Sequence, residues 1–274
     1  MADFLPPEEY IEPACPLCMK TKNDPVSIPL ARVMDKLEEY FSKNDYAAAE
    51  RHLLYWLDEA RAGRDERGEF SIFNELMGLY RKVGKEQEAL DACVKALILA
   101  KKLEIANSAA GATALLNAAT VYKAFGQAQK ALPLFEKAEK IYLCELDARD
   151  ERIGGLYNNF ALALVDCKQF SRAREYYQKA LEQMKNTSSG ELEQAITLLN
   201  LAELEEIEFG LEEACDKISN LVEQAWELFN LEKTNKNGYY AFVCEKCAST
   251  FGYYGYFLYE LELKNRAEEI YARS

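Results

Sequence analysis

Beyond residue 29 the sequence holds a single proline, Pro133, and the whole chain has 13 glycines and one histidine. It has no apolar run near the roughly 18 residues of a membrane-spanning helix. Each scarcity narrows the possibilities. With so few residues that break a helix, the chain from Leu30 onward is free to form long helices. His52, the one histidine, has no recognisable nucleophile or acid partner, and reads as a partly exposed structural side chain. Gly-rich phosphate loops, nucleophile elbows and paired acids in a definable cleft are all missing, so a non-enzymatic chain without a cofactor is expected. Basic residues are outnumbered, 33 Lys and Arg against 46 Asp and Glu, for a net charge of −13. Phosphate binding needs clustered cations, so nucleic acid is a poor partner. The N-terminal MADFLPPEEY carries acids where a signal peptide needs bases, which predicts a cytoplasmic location and no membrane partner.

What the chain does have is a repeat. LLNAATVYKAFGQAQKALPLFEKAEKIY begins at Leu115 and YNNFALALVDCKQFSRAREYYQKALEQM at Tyr157, and aligning Ala131 with Ala173 superposes them at an offset of 42 residues. Asn117/Asn159, Ala119/Ala161, Phe135/Tyr177 and Ala138/Ala180 then coincide. Such periodicity marks an array whose units bury their apolar faces against their neighbours. Hairpins of two helices are expected at roughly 30–62, 66–104, 108–146, 149–185, 189–232 and 237–274. Gly84 separates the helices of the second, and Asp45 caps the second helix of the first. The sixth is expected to break near Lys264 and Asn265 and to end in a truncated helix. Alanine recurs where backbones must approach closely, with a large residue filling the gap beside it, so Ala131 should tolerate nothing bigger. Six of the seven prolines lie within residues 1–29, which read as an extended arm, either a mobile tail or a strap along the first helices.

Helix-turn-helix units with one small residue midway along the first helix and another near the start of the second resemble the tetratricopeptide-repeat family. The 42-residue spacing, the Asn-rich first helices LLNAA, LYNNFA and LLNLA, and Pro133 early in its helix are similar to the kinesin-light-chain-type variety. The resemblance implies an all-α fold: a right-handed superhelical α-solenoid of about six hairpins, its concave face lined by the first helix of each.

In related arrays asparagines grip the backbone of a bound peptide, because one carboxamide offers both donor and acceptor. That makes Asn117, Asn159 and Asn200, with Asn158 and Asn74 nearby, candidates for a peptide-binding groove; the alternative is that they bond helix carbonyls and set repeat spacing. From Glu191 to Asp216 there are nine acids and no Lys or Arg, and Glu203 and Glu206 at groove-side spacing favour a basic protein or peptide. Two CxxC pairs, Cys15/Cys18 and Cys244/Cys247, carry the donor set of a zinc site, but 225 residues of array separate them, and Cys244 and Cys247 read as core thiols. Cys93, Cys144, Cys167 and Cys215 read as small hydrophobes at or near packed seams. Tyr253, Tyr256 and Tyr259, near a truncated end, suit a homodimer contact. The first functional reading is an interaction scaffold holding an extended segment; the alternatives are a peptide-sensing regulatory protein without its own DNA-binding domain and a self-associating assembly subunit.

Overall fold

The computed structural model describes residues 25–187, 190–232 and 234–273. Twelve α-helices follow one another there: α1 (Leu30–Ser42), α2 (Tyr46–Ala62), α3 (Glu66–Val83), α4 (Glu86–Lys102), α5 (Ala109–Ala124), α6 (Ala128–Glu145), α7 (Glu151–Asp166), α8 (Phe170–Lys185), α9 (Glu191–Phe209), α10 (Leu211–Phe229), α11 (Gly238–Tyr253) and α12 (Phe257–Tyr271). Paired in order they form six antiparallel hairpins, an all-α solenoid with no strand among the described residues.

One backbone device turns every hairpin. Between its two helices each carries a residue in the left-handed region: Asn44, Gly84, Gly126, Lys168, Gly210 and Gly255. Glycine meets that conformation without steric cost and asparagine tolerates it, whereas Lys168 (φ 57°) does so under strain. Gly255 corrects the expected end of the chain. The break falls there, and α12 runs unbroken through Lys264 and Asn265 for 15 residues, because Lys264 pairs with Glu260 one turn back while Leu263 and Ala267 are buried. The terminal hairpin is therefore complete.

The chain divides into two compact units, the first ending at Ile72 and the second beginning at Phe73. In the first, Val33, Leu37, Ala49, Leu53 and Ala60 are buried between α1 and α2, and Asp45 caps α2 by accepting from the Ala48 N–H at 2.9 Å. His52 Nε2 lies 3.0 Å from the Val33 carbonyl oxygen. The end of the proline-rich arm is laid down as a strap. Val26 N–H donates to the Gly63 carbonyl at 2.8 Å, and Ile28 N–H to Asp65 Oδ2 at 2.9 Å. Asp65 Oδ1 accepts from Gly68 N–H at 2.9 Å. A Cβ on Gly63 would collide with the Val26 carbonyl, which is why glycine stands where the strap crosses. The rest of the arm lies outside the described residues.

The second unit holds the regular repeats. Ala112, Ala119, Ala131, Phe135, Ala138, Phe160, Ala161, Ala173 and Tyr177 belong to one core cluster, in which the Phe135 and Phe160 rings stack at 5.2 Å. A second cluster joins α9 and α10 to the terminal hairpin through Phe229, Tyr240, Phe251 and Leu263. Cys93 is buried, but Cys144 and Cys215 are exposed, so those two are not core hydrophobes; they stand on the outer sides of α6 and α10.

Candidate functional site

Within the second unit the first helices of successive hairpins touch one another, α5 with α7, α7 with α9 and α9 with α11. That places them along the inner face. Lys82 of α3 brings its ammonium 6.0 Å from the Phe242 ring centre on α11, so side chains from opposite ends of this face meet. Arg81 beside it is exposed, yet surrounding protein desolvates its guanidinium and lowers its pKa. Glu75, on the same helix, is half-buried, and burial raises its pKa. Solvent-accessible charges that nevertheless feel desolvation are what the inside of a groove produces.

The asparagines lie along this face and bond in pairs. Asn117 Nδ2 donates to Asn74 Oδ1 at 3.2 Å, linking α5 to α3; Asn200 Nδ2 donates to Asn158 Oδ1 at 3.1 Å, linking α9 to α7. Buried Asn158 also accepts from the Thr197 hydroxyl at 3.2 Å. Asn159 turns back to its own helix, donating to the Gly155 carbonyl at 2.8 Å. The residue that pairs with Asn200 is thus Asn158, the neighbour of the one that the alanine alignment selects. Each of these bonds uses only part of a carboxamide. Asn117 and Asn200, both partly exposed, keep a carbonyl oxygen and a second N–H that bond to nothing among the described residues.

Toward the α9–α10 turn the face changes character. Glu203 is exposed and has no ion pair among the described residues. Glu206 accepts from Tyr253 Oη at 2.5 Å and Tyr254 Oη at 2.9 Å. With Ile207, Ser249 and Thr250 these residues line a cleft of about 480 Å³ between α9 and α11. Tyr253 is 66% exposed, its ring edge-on to Tyr254 at 5.0 Å. Burial, then the bond to Glu206, holds the Tyr254 phenol protonated well above its usual pKa. At the other end of α9, Glu193 accepts from the Tyr239 hydroxyl, and its pKa is raised by burial. The sequence singled out Glu203 and Glu206 but gave no sign that Tyr254 meets Glu206 or that Tyr239 meets Glu193. The spacing of Tyr253 from Glu206, 47 residues, is one repeat plus a longer connection, which a strict 42-residue alignment steps past.

The other candidates are placed elsewhere. Tyr259 stacks on Trp226 of α10 at 4.0 Å, and Tyr256 stacks on Tyr259 at 5.3 Å, so both are half-buried against the core of the terminal hairpin. The exposed apolar residues of the terminal hairpin are Phe257, Leu258 and Leu261. Cys244 and Cys247 are buried in α11, where burial pushes their thiols up to about 11 and about 12, against the thiolate that a metal requires. Cys15 and Cys18 lie outside the described residues. No helix among the described residues is long and apolar enough to cross a membrane.

Residues 69–143 match the model of the tetratricopeptide repeat family. No curated protein matches the chain in sequence. In structure it is similar to a protein of nearly identical TPR-like repeats from Podosopora anserina, with TM-score 0.52 and 19% identity over 75% of this chain and 96% of that one. It is also similar to the apo form of RapI, with TM-score 0.54 and 14% identity over 89% and 97%. A Rap protein complexed with competence and sporulation factor gives TM-score 0.54 and 12% identity over 87% and 73%. At these identities the likeness is one of fold.

Proposed function

We propose that this chain, a tetratricopeptide-repeat protein, is a non-enzymatic interaction scaffold that holds an extended peptide or protein segment along the inner face of its first helices. The carrying observation is the asparagine pairs. Asn74 and Asn158 orient Asn117 and Asn200 from the first helix of the preceding hairpin, and the donor and acceptor left over on each suit a peptide unit. A carboxamide held in place before binding loses less entropy on contact than a free one. The pairs therefore do two jobs, linking hairpins and presenting polar groups.

The test is peptide selection on the full chain, followed by Asn117→Ala with Asn200→Ala. These substitutions should weaken a selected decapeptide at least about tenfold, the worth of one good hydrogen bond in an enclosed site. Methylating single backbone nitrogens of the peptide should reproduce the loss at one or two positions. Unchanged affinity in both experiments would remove the asparagines from the binding face. A second reading, a sensor of short signalling peptides, is favoured by the fold shared with the Rap protein that carries competence and sporulation factor. The same selection separates the two, since a sensor would prefer short peptides with a free terminus. For self-association the terminal hairpin presents Tyr253, Phe257, Leu258 and Leu261, all exposed, beside half-buried Tyr256 and Tyr259.

A further inference from the structure

Helix α9 carries one arrangement twice, and only one copy is filled. On the side toward α8 and α10, Glu205 and Glu208 stand three residues apart and both bond the guanidinium of Arg174, at 2.8 and 2.6 Å. The Phe209 ring centre lies 5.8 Å from that guanidinium. Carboxylate, carboxylate and ring thus surround one arginine, and Lys217 joins them, 3.4 Å from Glu205 and 5.1 Å from the Phe209 ring centre. On the side toward α11, Glu203 and Glu206 have the same three-residue spacing, which sets both on one face, and Tyr253 supplies the ring. Here no cation among the described residues pairs with either carboxylate. Glu203 has no ion pair among the described residues, and Glu206 is met by two tyrosine hydroxyls, which leave its charge in place.

From this we infer that the cleft between α9 and α11 is a subsite for an arginine side chain of the bound segment. The inference rests on the reading that the inner face holds an extended chain, and it supplies what the asparagines lack, a preference for one side chain. Three features fit arginine. The cleft is lined by two carboxylates and no base, so a cation entering it is attracted and an anion repelled. The ring of Tyr253, 66% exposed, offers a face on which a planar guanidinium stacks. Ile207 gives the methylene stem an apolar wall. A carboxylate has about four acceptor sites, so Glu206 keeps capacity after binding both hydroxyls, and Glu203 brings all of its own. A lysine ammonium gains the charge but not the fork or the stack, and binds less well. Glu203 follows Asn200 by three residues, about one helical turn or 4.5 Å, so a segment whose backbone bonds Asn200 has its next side chains within reach of the cleft.

The test uses linear decapeptides selected on the full chain from a random library. Selected sequences should share an arginine, and replacing it with citrulline, which keeps the planar shape but removes the charge and turns one terminal donor into a carbonyl acceptor, should weaken binding about tenfold. Lysine should fall between. On Glu203→Gln, which leaves Glu206 in place, and on Tyr253→Ala, which leaves both carboxylates, the gap between the arginine and citrulline peptides should shrink severalfold. Tyr253→Phe, which keeps the ring, should preserve most of the preference. Both positions are exposed, and an unchanged melting curve confirms folding. Peptides that bind, and lose affinity on the asparagine variants, but show no difference between arginine and citrulline would overturn the subsite and leave the groove standing. An arginine preference undiminished by Glu203→Gln and by Tyr253→Ala would overturn its location. Failure to select any decapeptide would overturn both readings.

Discussion

Hairpins three and four and hairpins five and six are built on the same helical frame but use their inner faces differently. In the earlier pair the polar groups of the first helices are turned on each other or on their own backbone: Asn117 on Asn74, Asn159 on Gly155. In the later pair they are carboxylates met by tyrosine hydroxyls from α11, Glu193 by Tyr239 and Glu206 by Tyr253 and Tyr254. The outer helices show the converse. There α8 is tied to α6 by ion pairs of Arg172 with Glu136 and Lys179 with Glu139. The difference teaches that packing fixes the array through its alanines and aromatics, while the charge left over is gathered where hairpins five and six face inward. Glu203 and Glu206, with no ion pair among the described residues, are the acids on which the proposed subsite rests.

The largest effect should come from breaking the regular pair at its tightest point. Ala131 is fully buried at the crossing of its hairpin, and Ala131→Leu should cost about 1–3 kcal/mol in thermal or urea melting. In the terminal hairpin the close neighbour is a flexible side chain. A Cβ at Gly252 would meet only the carboxylate end of Glu260, a flexible tip that can swing aside, so Gly252→Ala should stay within about 1 kcal/mol of wild type. Equal losses at the two sites would dissolve the contrast. At the joint between the regions, Asn158→Ala leaves Asn200 without its acceptor, while the Thr197 hydroxyl keeps the Glu193 carbonyl at 2.8 Å, and should cost about 1 kcal/mol.

A gain is expected at Lys168, the residue at φ 57° where four of the other five turns have glycine. Lys168→Gly should stabilise by about 0.5–1 kcal/mol, relief of left-handed strain exceeding the added flexibility of the unfolded chain. The smallest effect sharpens the electrostatic side. Burial raises the Glu193 pKa above its ordinary value, so in the window between those values the folded chain binds more protons than the unfolded one. Stability contributed by this group therefore falls as pH rises through that window. Glu193→Gln should raise the melting temperature at pH 7, with the difference vanishing below the ordinary carboxylate range.

Much of the frame was legible in the sequence because it rests on local rules. The 42-residue offset between Ala131 and Ala173 gave the hairpins, and Asp45 gave a cap. The terminal hairpin was not legible. Lys264–Asn265 looks like a break, but Lys264 is an exposed helical residue paired to Glu260, and Gly255 among tyrosines was the turn. For the same reason Tyr256 and Tyr259 look like surface; Trp226, which covers Tyr259, comes from a helix whose register the repeat alone does not fix. The asparagine register was one residue off for a physical cause. The alanine alignment superposes Asn159 on Asn117, whereas contact with Asn200 depends on which of two adjacent side chains points to the next helix, and that is Asn158. The cleft was half legible, since its acids are in one run and its tyrosines in another.

The most direct test of the central claim is site-specific photo-crosslinking with a selected decapeptide and the full chain. A photoreactive side chain at position 203, on the inner face of α9, should capture the peptide, and excess unlabelled peptide should abolish capture. The same group at position 98 or 143, where Ile98 and Leu143 stand exposed on the second helices α4 and α6, should capture none. Capture from 98 or 143 with none from 203 would place the binding surface on the outside of the array and contradict the account.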